Sequence, residues 1–119
     1  VMHLATDVTG ALIESKQRLD AFSLLQSLHP SAAVCGTPRN IAFDIITEIE
    51  GMNRGRYAGP VGWIDASGDG ELGIALRSGQ ITDREIRIFA GCGIVAGSNP
   101  EKELSESNAK FAPMRSALS

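Results

Sequence analysis

Apolar positions recur along this chain with two different periods. Between residues 15 and 30, Leu19, Phe22, Leu25 and Leu28 recur at helical spacing and the pattern stops at Pro30, which predicts an amphipathic helix. A second stripe, Ile41, Ile45, Ile46 and Ile49, follows Pro38 and ends at Gly51. Proline near a first turn and glycine after a last turn are the expected helix boundaries. Three later segments, "VGWIDAS", "ELGIALRSGQI" and "EIRIFAGCGIV", are read as strands. "GDG" reads as a hairpin turn between the first two, and a polar turn around "TDRE" joins the second to the third. This predicts a three-stranded antiparallel meander. Residues 2–13, "MHLATDVTGALI", are rich in strand-forming side chains and read as a strand bent near Gly10. Residues 31–38 and 52–60 read as loops. A last helix is expected from about Pro100 to about Ser116, with Ser98 or Asn99 as its cap. The predicted order is β-α-α-β-β-β-α, and its consecutive strands favour α+β over a doubly wound parallel sheet.

Composition narrows the function classes more than the fold. The chain has 119 residues, enough for one domain with a modest core. A net charge of −3 gives no electrostatic reason to expect nucleic acid or an anionic membrane as partner. No apolar run approaches a membrane span, and no signal peptide is visible. Cys35 and Cys92 make no disulfide framework and are expected to be reduced, packing thiols in a cytoplasmic protein. His3 and His29 have no metal-ligand spacing to either cysteine. The chain starts with Val1 inside an expected strand, which reads as part of a longer protein.

The segment "AGCGIVAGSNPEKELSESNAKF" carries the densest chemistry. Its glycines do not make a dinucleotide loop. "GCGIVAG" has one residue too many before its last glycine, and no βαβ unit surrounds it. Helical geometry instead places Glu103, Glu106 and Lys110 on one face. That face is either a solvated surface with a Glu106–Lys110 pair or a Mg²⁺ site beside an anionic ligand. Gly91 and Gly93 let the backbone approach a ligand, and their N–H groups could hold a carboxylate; a bulged strand end is the plainer reading. Arg77 is either a rim residue or an anion clamp. Tyr57 is either a packed aromatic or a hydroxyl donor.

The runs "RGRYAGPVGWIDASGDGELGIALRSGQI" and "IRIFAGCGIVAGSNPEKELSESNAKF" resemble the signature of the chorismate-utilising enzymes. The resemblance extends over essentially the whole chain, from "HLATDVTGAL" onward. It implies an α+β fold of antiparallel sheets packed as a sandwich with outer helices. Residues 1–119 would form the C-terminal part of a single chorismate-binding domain, with the N-terminal part not included. It further implies Mg²⁺ as cofactor, with Glu106 as direct ligand and Glu103 acting directly or through water. Tyr57 and Arg77 match residues that hold the enolpyruvyl carboxylate, assisted by backbone N–H groups across Gly91, Cys92 and Gly93. Cys92 replaces the usual alanine. Lys110 matches a lysine near the ring carboxylate and the metal, and His3 matches a site histidine.

Within this superfamily, Ala33 in "LHPSAAVCGTP" and the "GPVGW" after Tyr57 resemble the isochorismate synthase pattern. That implies isomerisation of chorismate to isochorismate by water addition and hydroxide loss, in the service of menaquinone, siderophore or salicylate formation. A salicylate synthase, which would go on to eliminate pyruvate, is the alternative within the superfamily. A non-catalytic fragment that binds chorismate or metal is the alternative of another class. No catalytic residue is expected in residues 1–119: the family's general base lysine and general acid glutamate, with a further metal glutamate, lie N-terminal to this segment. The partners implied are chorismate, isochorismate and the remaining N-terminal part of the domain.

Overall fold

A computed structural model describes residues 7–11 and 20–119. The expected first strand and His3 lie largely or wholly outside the described residues, as does the first half of the expected first helix. Residues 7–11 have no regular structure.

Three helices come first. Helix α1 (Ala21–Leu28) starts at Asp20, whose carboxylate accepts from the Ser23 N–H and hydroxyl, each at 2.8 Å. Those two donors also hold the Asp20 carboxyl below the usual carboxylate range. The loop expected at 31–38 contains a one-turn helix, α2 (Ala32–Cys35), which buries Cys35. It ends at Gly36, with φ of 90°, where a Cβ would lie 3.0 Å from the Ala42 methyl group. Only glycine fits that left-handed turn against the next helix. Helix α3 (Arg39–Glu50) matches the isoleucine stripe, and Gly51 closes it in the left-handed conformation.

The strands depart from the predicted meander. Strand β1 (Pro60–Ile64) pairs antiparallel with β2 (Gly70–Ile74), in the register Pro60↔Ile74 to Ile64↔Gly70. Asp65 builds their turn by accepting from the N–H groups of Ser67 and Asp69 at 2.8 and 3.0 Å. Strand β3 (Ser78–Thr82) pairs antiparallel with β4 (Glu85–Phe89). The segment expected as one strand from 71 to 81 is thus two, in separate two-stranded sheets. The break is at Arg77, whose φ of 47° cannot continue an extended strand. Just before it the Leu76 N–H turns back to the Ile74 carbonyl at 2.8 Å, while Ala75 exchanges hydrogen bonds with Ala58 and Gly59.

Helix α4 (Pro100–Ala117) packs against β4. Asn99 caps it through the Lys102 N–H at 2.9 Å, Pro100 occupies the first turn, and Glu101 and Glu103 complement the helix dipole there. The order among the described residues is therefore α-α-α-β-β-β-β-α, an α+β arrangement with antiparallel sheets. Buried hydrophobic residues among those described are Cys35, Ala58 and Phe89. The radius of gyration is 17.0 Å, against about 13 Å for a compact domain of this size. The elements are well formed, but they bury little against one another.

Candidate functional site

Two of the three residues buried among those described, Ala58 and Phe89, flank the point where the sequence-predicted site residues meet. Tyr57 lies in a turn after α3, its N–H donating to the Arg54 carbonyl at 2.9 Å. The next residue, Ala58, takes a φ of 61° and donates to the Ala75 carbonyl at 3.0 Å. This bond fixes the turn to the end of β2. The Tyr57 ring stacks on Phe89, the last residue of β4, with centroids 5.1 Å apart and planes 11° apart. Burial raises the phenol pKa above its ordinary value, against the pull of the Arg54 and Lys110 cations. The hydroxyl therefore stays protonated, and able to donate, throughout the neutral range.

The Tyr57 hydroxyl reaches Gly91. A Cβ on Gly91 would lie 2.9 Å from that oxygen, so a side chain there would displace it. Lys110 approaches the same residue from α4, its Nζ donating to the Gly91 carbonyl at 2.9 Å. The same ammonium pairs with Glu106 at 2.6 Å; Lys110 is 20% exposed and Glu106 55%. A lysine has three N–H donors, so one remains for a ligand. Cys92 ties the strand extension to α4 a second time. Its thiol donates to the Glu103 carbonyl at 3.5 Å, and the Ser107 hydroxyl donates to its sulfur at 3.4 Å. Residues 103, 107, 110, 111 and 114 are the half-buried positions of α4, at helical spacing. Residues distant in sequence (Tyr57, Gly91, Cys92, Glu103, Glu106 and Lys110) are thereby brought to one place.

Other expected site residues stand further off. Gly93 borders this cluster, and a Cβ there would meet open space. Arg77 is exposed at the corner between β2 and β3, two residues past the Ala75 that binds the Tyr57 turn. Ala33 is exposed on α2. His3 lies outside the described residues. No group of three or more histidine, cysteine or acidic side chains able to hold a metal occurs among the described residues. The donors present are two carboxylates, Glu103 and Glu106. That set fits Mg²⁺ in kind, because Mg²⁺ is commonly held by one or two carboxylates with waters and substrate oxygens completing its shell.

Sequence reasoning missed Arg54. Its Nε and Nη2 donate to the two Glu50 oxygens at 2.8 and 2.5 Å, and its Nη1 donates to the Val34 carbonyl at 3.0 Å. Its guanidinium carbon lies 5.6 Å from the Tyr57 ring centroid. The bond to Glu50 holds its pKa above the ordinary value. The only signal was a glutamate four residues before an arginine, and Gly51 between them hides it as a helical pair. Beside Arg54 opens a cleft of about 690 Å³ lined by His29, Val34, Phe43, Ile46, Glu50 and Tyr57 among others. Tyr57 borders both this cleft and the polar cluster, while neither Gly91 nor the α4 carboxylates line the cleft.

Comparison with known proteins gives a consistent set of relatives. The family model for chorismate binding enzymes matches residues 1–119. The isochorismate synthase MenF of Bacillus subtilis is 48% identical over 118 residues, covering 99% of this chain and 24% of that protein. An anthranilate synthase component 1 from Aquifex aeolicus is 42% identical, covering 99% of this chain and 23% of that protein. The crystal structure of Bacillus anthracis DhbC, described as a 2,3-dihydroxybenzoate-specific isochorismate synthase, superposes with a TM-score of 0.79 at 42% identity. It covers 83% of this chain and 26% of that one. The chain spans about a quarter of the length of these relatives.

Proposed function

The chain belongs to the chorismate binding enzyme family, and from that premise we infer that it contributes one wall of the active site of a Mg²⁺-dependent isochorismate synthase. The observation that carries this reading is the meeting of Tyr57, Gly91 and Lys110. A hydroxyl donor and an ammonium converge on one stretch of exposed backbone, beside the helix face that bears Glu103 and Glu106. Such a place suits a substrate with two carboxylates.

In this reading the Tyr57 hydroxyl and Arg77, with N–H groups across Gly91, Cys92 and Gly93, hold the enolpyruvyl carboxylate. The third Lys110 donor meets the ring carboxylate. Glu103 and Glu106 would hold Mg²⁺, which when bound supplies positive charge to the ring carboxylate. Lys110 also sets the position of Glu106, because the two are paired. Conversion to isochorismate adds water at one ring carbon and expels hydroxide from another, which needs a base and an acid on opposite sides of the ring. Those groups would come from sequence beyond residues 1–119, as would the strands that complete a sandwich.

The test is the full-length gene product carrying this sequence, incubated with chorismate and Mg²⁺. Isochorismate is the expected product. The 42% identity to an anthranilate synthase component makes an ammonia-using enzyme the competing reading. Anthranilate or aminodeoxychorismate as product, formed only with an ammonia source, would replace the isochorismate assignment. Salicylate with pyruvate as main products would point to a salicylate synthase. Glu106→Ala is expected to abolish Mg²⁺-dependent turnover, and full activity in that variant would remove Glu106 from the metal site.

A further inference from the structure

The geometry points to Arg54 as a positioning residue, one that fixes the Tyr57 ring so that its hydroxyl stays at Gly91 and links that hydroxyl to the 31–36 loop bearing Ala33. Every nitrogen of the guanidinium is used. Nε and Nη2 grip both oxygens of Glu50, at the end of α3, and Nη1 reaches the carbonyl of Val34, next to Ala33 on α2. The guanidinium carbon lies over the Tyr57 ring, 5.6 Å from its centroid and within cation–π range. Glu50 and Arg54 side chains are 30% and 27% exposed, so the fork is partly shielded from water. The pair also straddles Gly51, where α3 has already ended. It therefore does not brace a helix; it closes the corner between the helix end, the small helix and the turn that holds Tyr57.

Tyr57 needs such a brace. Phe89 supports one face of the ring by stacking. A Cβ on Gly91 would lie 2.9 Å from the hydroxyl, so a shift of the ring changes the approach of that hydroxyl to Gly91. Arg54 limits movement of the ring because its guanidinium lies over the ring and is itself held by three directed bonds. A lysine could supply the charge but could not grip Glu50 bidentately and reach Val34 at once. The inference rests on the proposed role of Tyr57 in carboxylate binding, and part of its test is independent of that role.

The test uses the full-length gene product with fluorine-labelled tyrosine, the Tyr57 resonance being assigned by its loss in Tyr57→Phe. Arg54→Met and Arg54→Lys are each expected to shift or broaden that resonance without substrate present. An unchanged resonance in Arg54→Met overturns the proposal, whether or not chorismate is turned over. In the assay, Arg54→Met is expected to raise KM for chorismate about tenfold with little change in kcat, the mark of lost binding rather than lost chemistry. In a Tyr57→Phe background the same substitution is expected to add less than about threefold, because the hydroxyl it serves is already gone. Factors that multiply in full would show that Arg54 acts independently of Tyr57. Arg54→Lys is expected not to rescue KM; full rescue would reduce the role to charge alone. Glu50→Gln, which keeps shape and one acceptor, provides a milder second variant, expected to move KM in the same direction. An inactive wild type would sink the functional reading, while an active wild type with multiplying factors would sink the role of Arg54 alone.

Discussion

At Gly91 a single hydrogen atom decides whether the site can form. The glycine is needed for close approach, because the Tyr57 hydroxyl occupies the space a methyl group would take. Tyr57 cannot easily yield, being stacked on Phe89 and covered by Arg54. Gly91→Ala is therefore expected to weaken chorismate binding about tenfold while costing about 1–3 kcal/mol of stability through overpacking. Calorimetry with chorismate and a denaturant titration would measure both, and unchanged affinity would remove Tyr57–Gly91 from the site. The protonation of Tyr57 adds a pH dependence. Its pKa is raised on folding, so the folded state holds the proton more tightly than the unfolded one. The contribution is fully present below the ordinary tyrosine value of about 10 and is lost as pH rises through the folded pKa. Below that, binding through this hydroxyl is expected to be flat with pH.

Helix α4 shows how a bland surface pattern becomes a covered helix face. Its residues 103, 107, 110, 111 and 114 form the half-buried face, although only Phe111 and Met114 of these are strongly apolar. The helix was legible because Asn99 and Pro100 mark its start. Its inward face was not, because polar residues at helical spacing read equally well as solvated. The strand segment from 71 to 81 failed for the opposite reason. Its strand-like character carries through the corner at Arg77, where no glycine or asparagine announces the left-handed turn. Side-chain pattern reports which face is covered; it does not report where the backbone bends. The cap of α4 holds the helix that carries the proposed site residues Glu103, Glu106 and Lys110. Asn99→Ala removes the bond to Lys102 and is expected to cost about 1 kcal/mol. The denaturation midpoint of the full-length product should fall with an unchanged m-value, and no change would mean that the cap contributes nothing.

At the scale of the whole molecule, the apolar residues that made the elements predictable are largely uncovered. Ile41, Phe43, Ile45 and Ile49 on α3 are exposed, as are Val61 and Trp63 on β1 and Ile81 and Ile86 on the second hairpin. Two two-stranded sheets also leave strand edges unpaired, and an isolated hairpin is marginal in water. Surface of this kind needs a partner layer. In relatives about four times as long there is ample chain to supply one. Residues 1–119 produced alone are therefore expected to self-associate and to bind chorismate with Mg²⁺ weakly or not at all. Light scattering on the separated peptide would show polydisperse species, with a broad rather than cooperative thermal transition. A monodisperse monomer that unfolded cooperatively would mean that these faces find cover within the chain itself. Tight chorismate binding by that monomer would further mean that Tyr57, Gly91, Lys110 and the α4 carboxylates suffice as a binding module without the remaining wall.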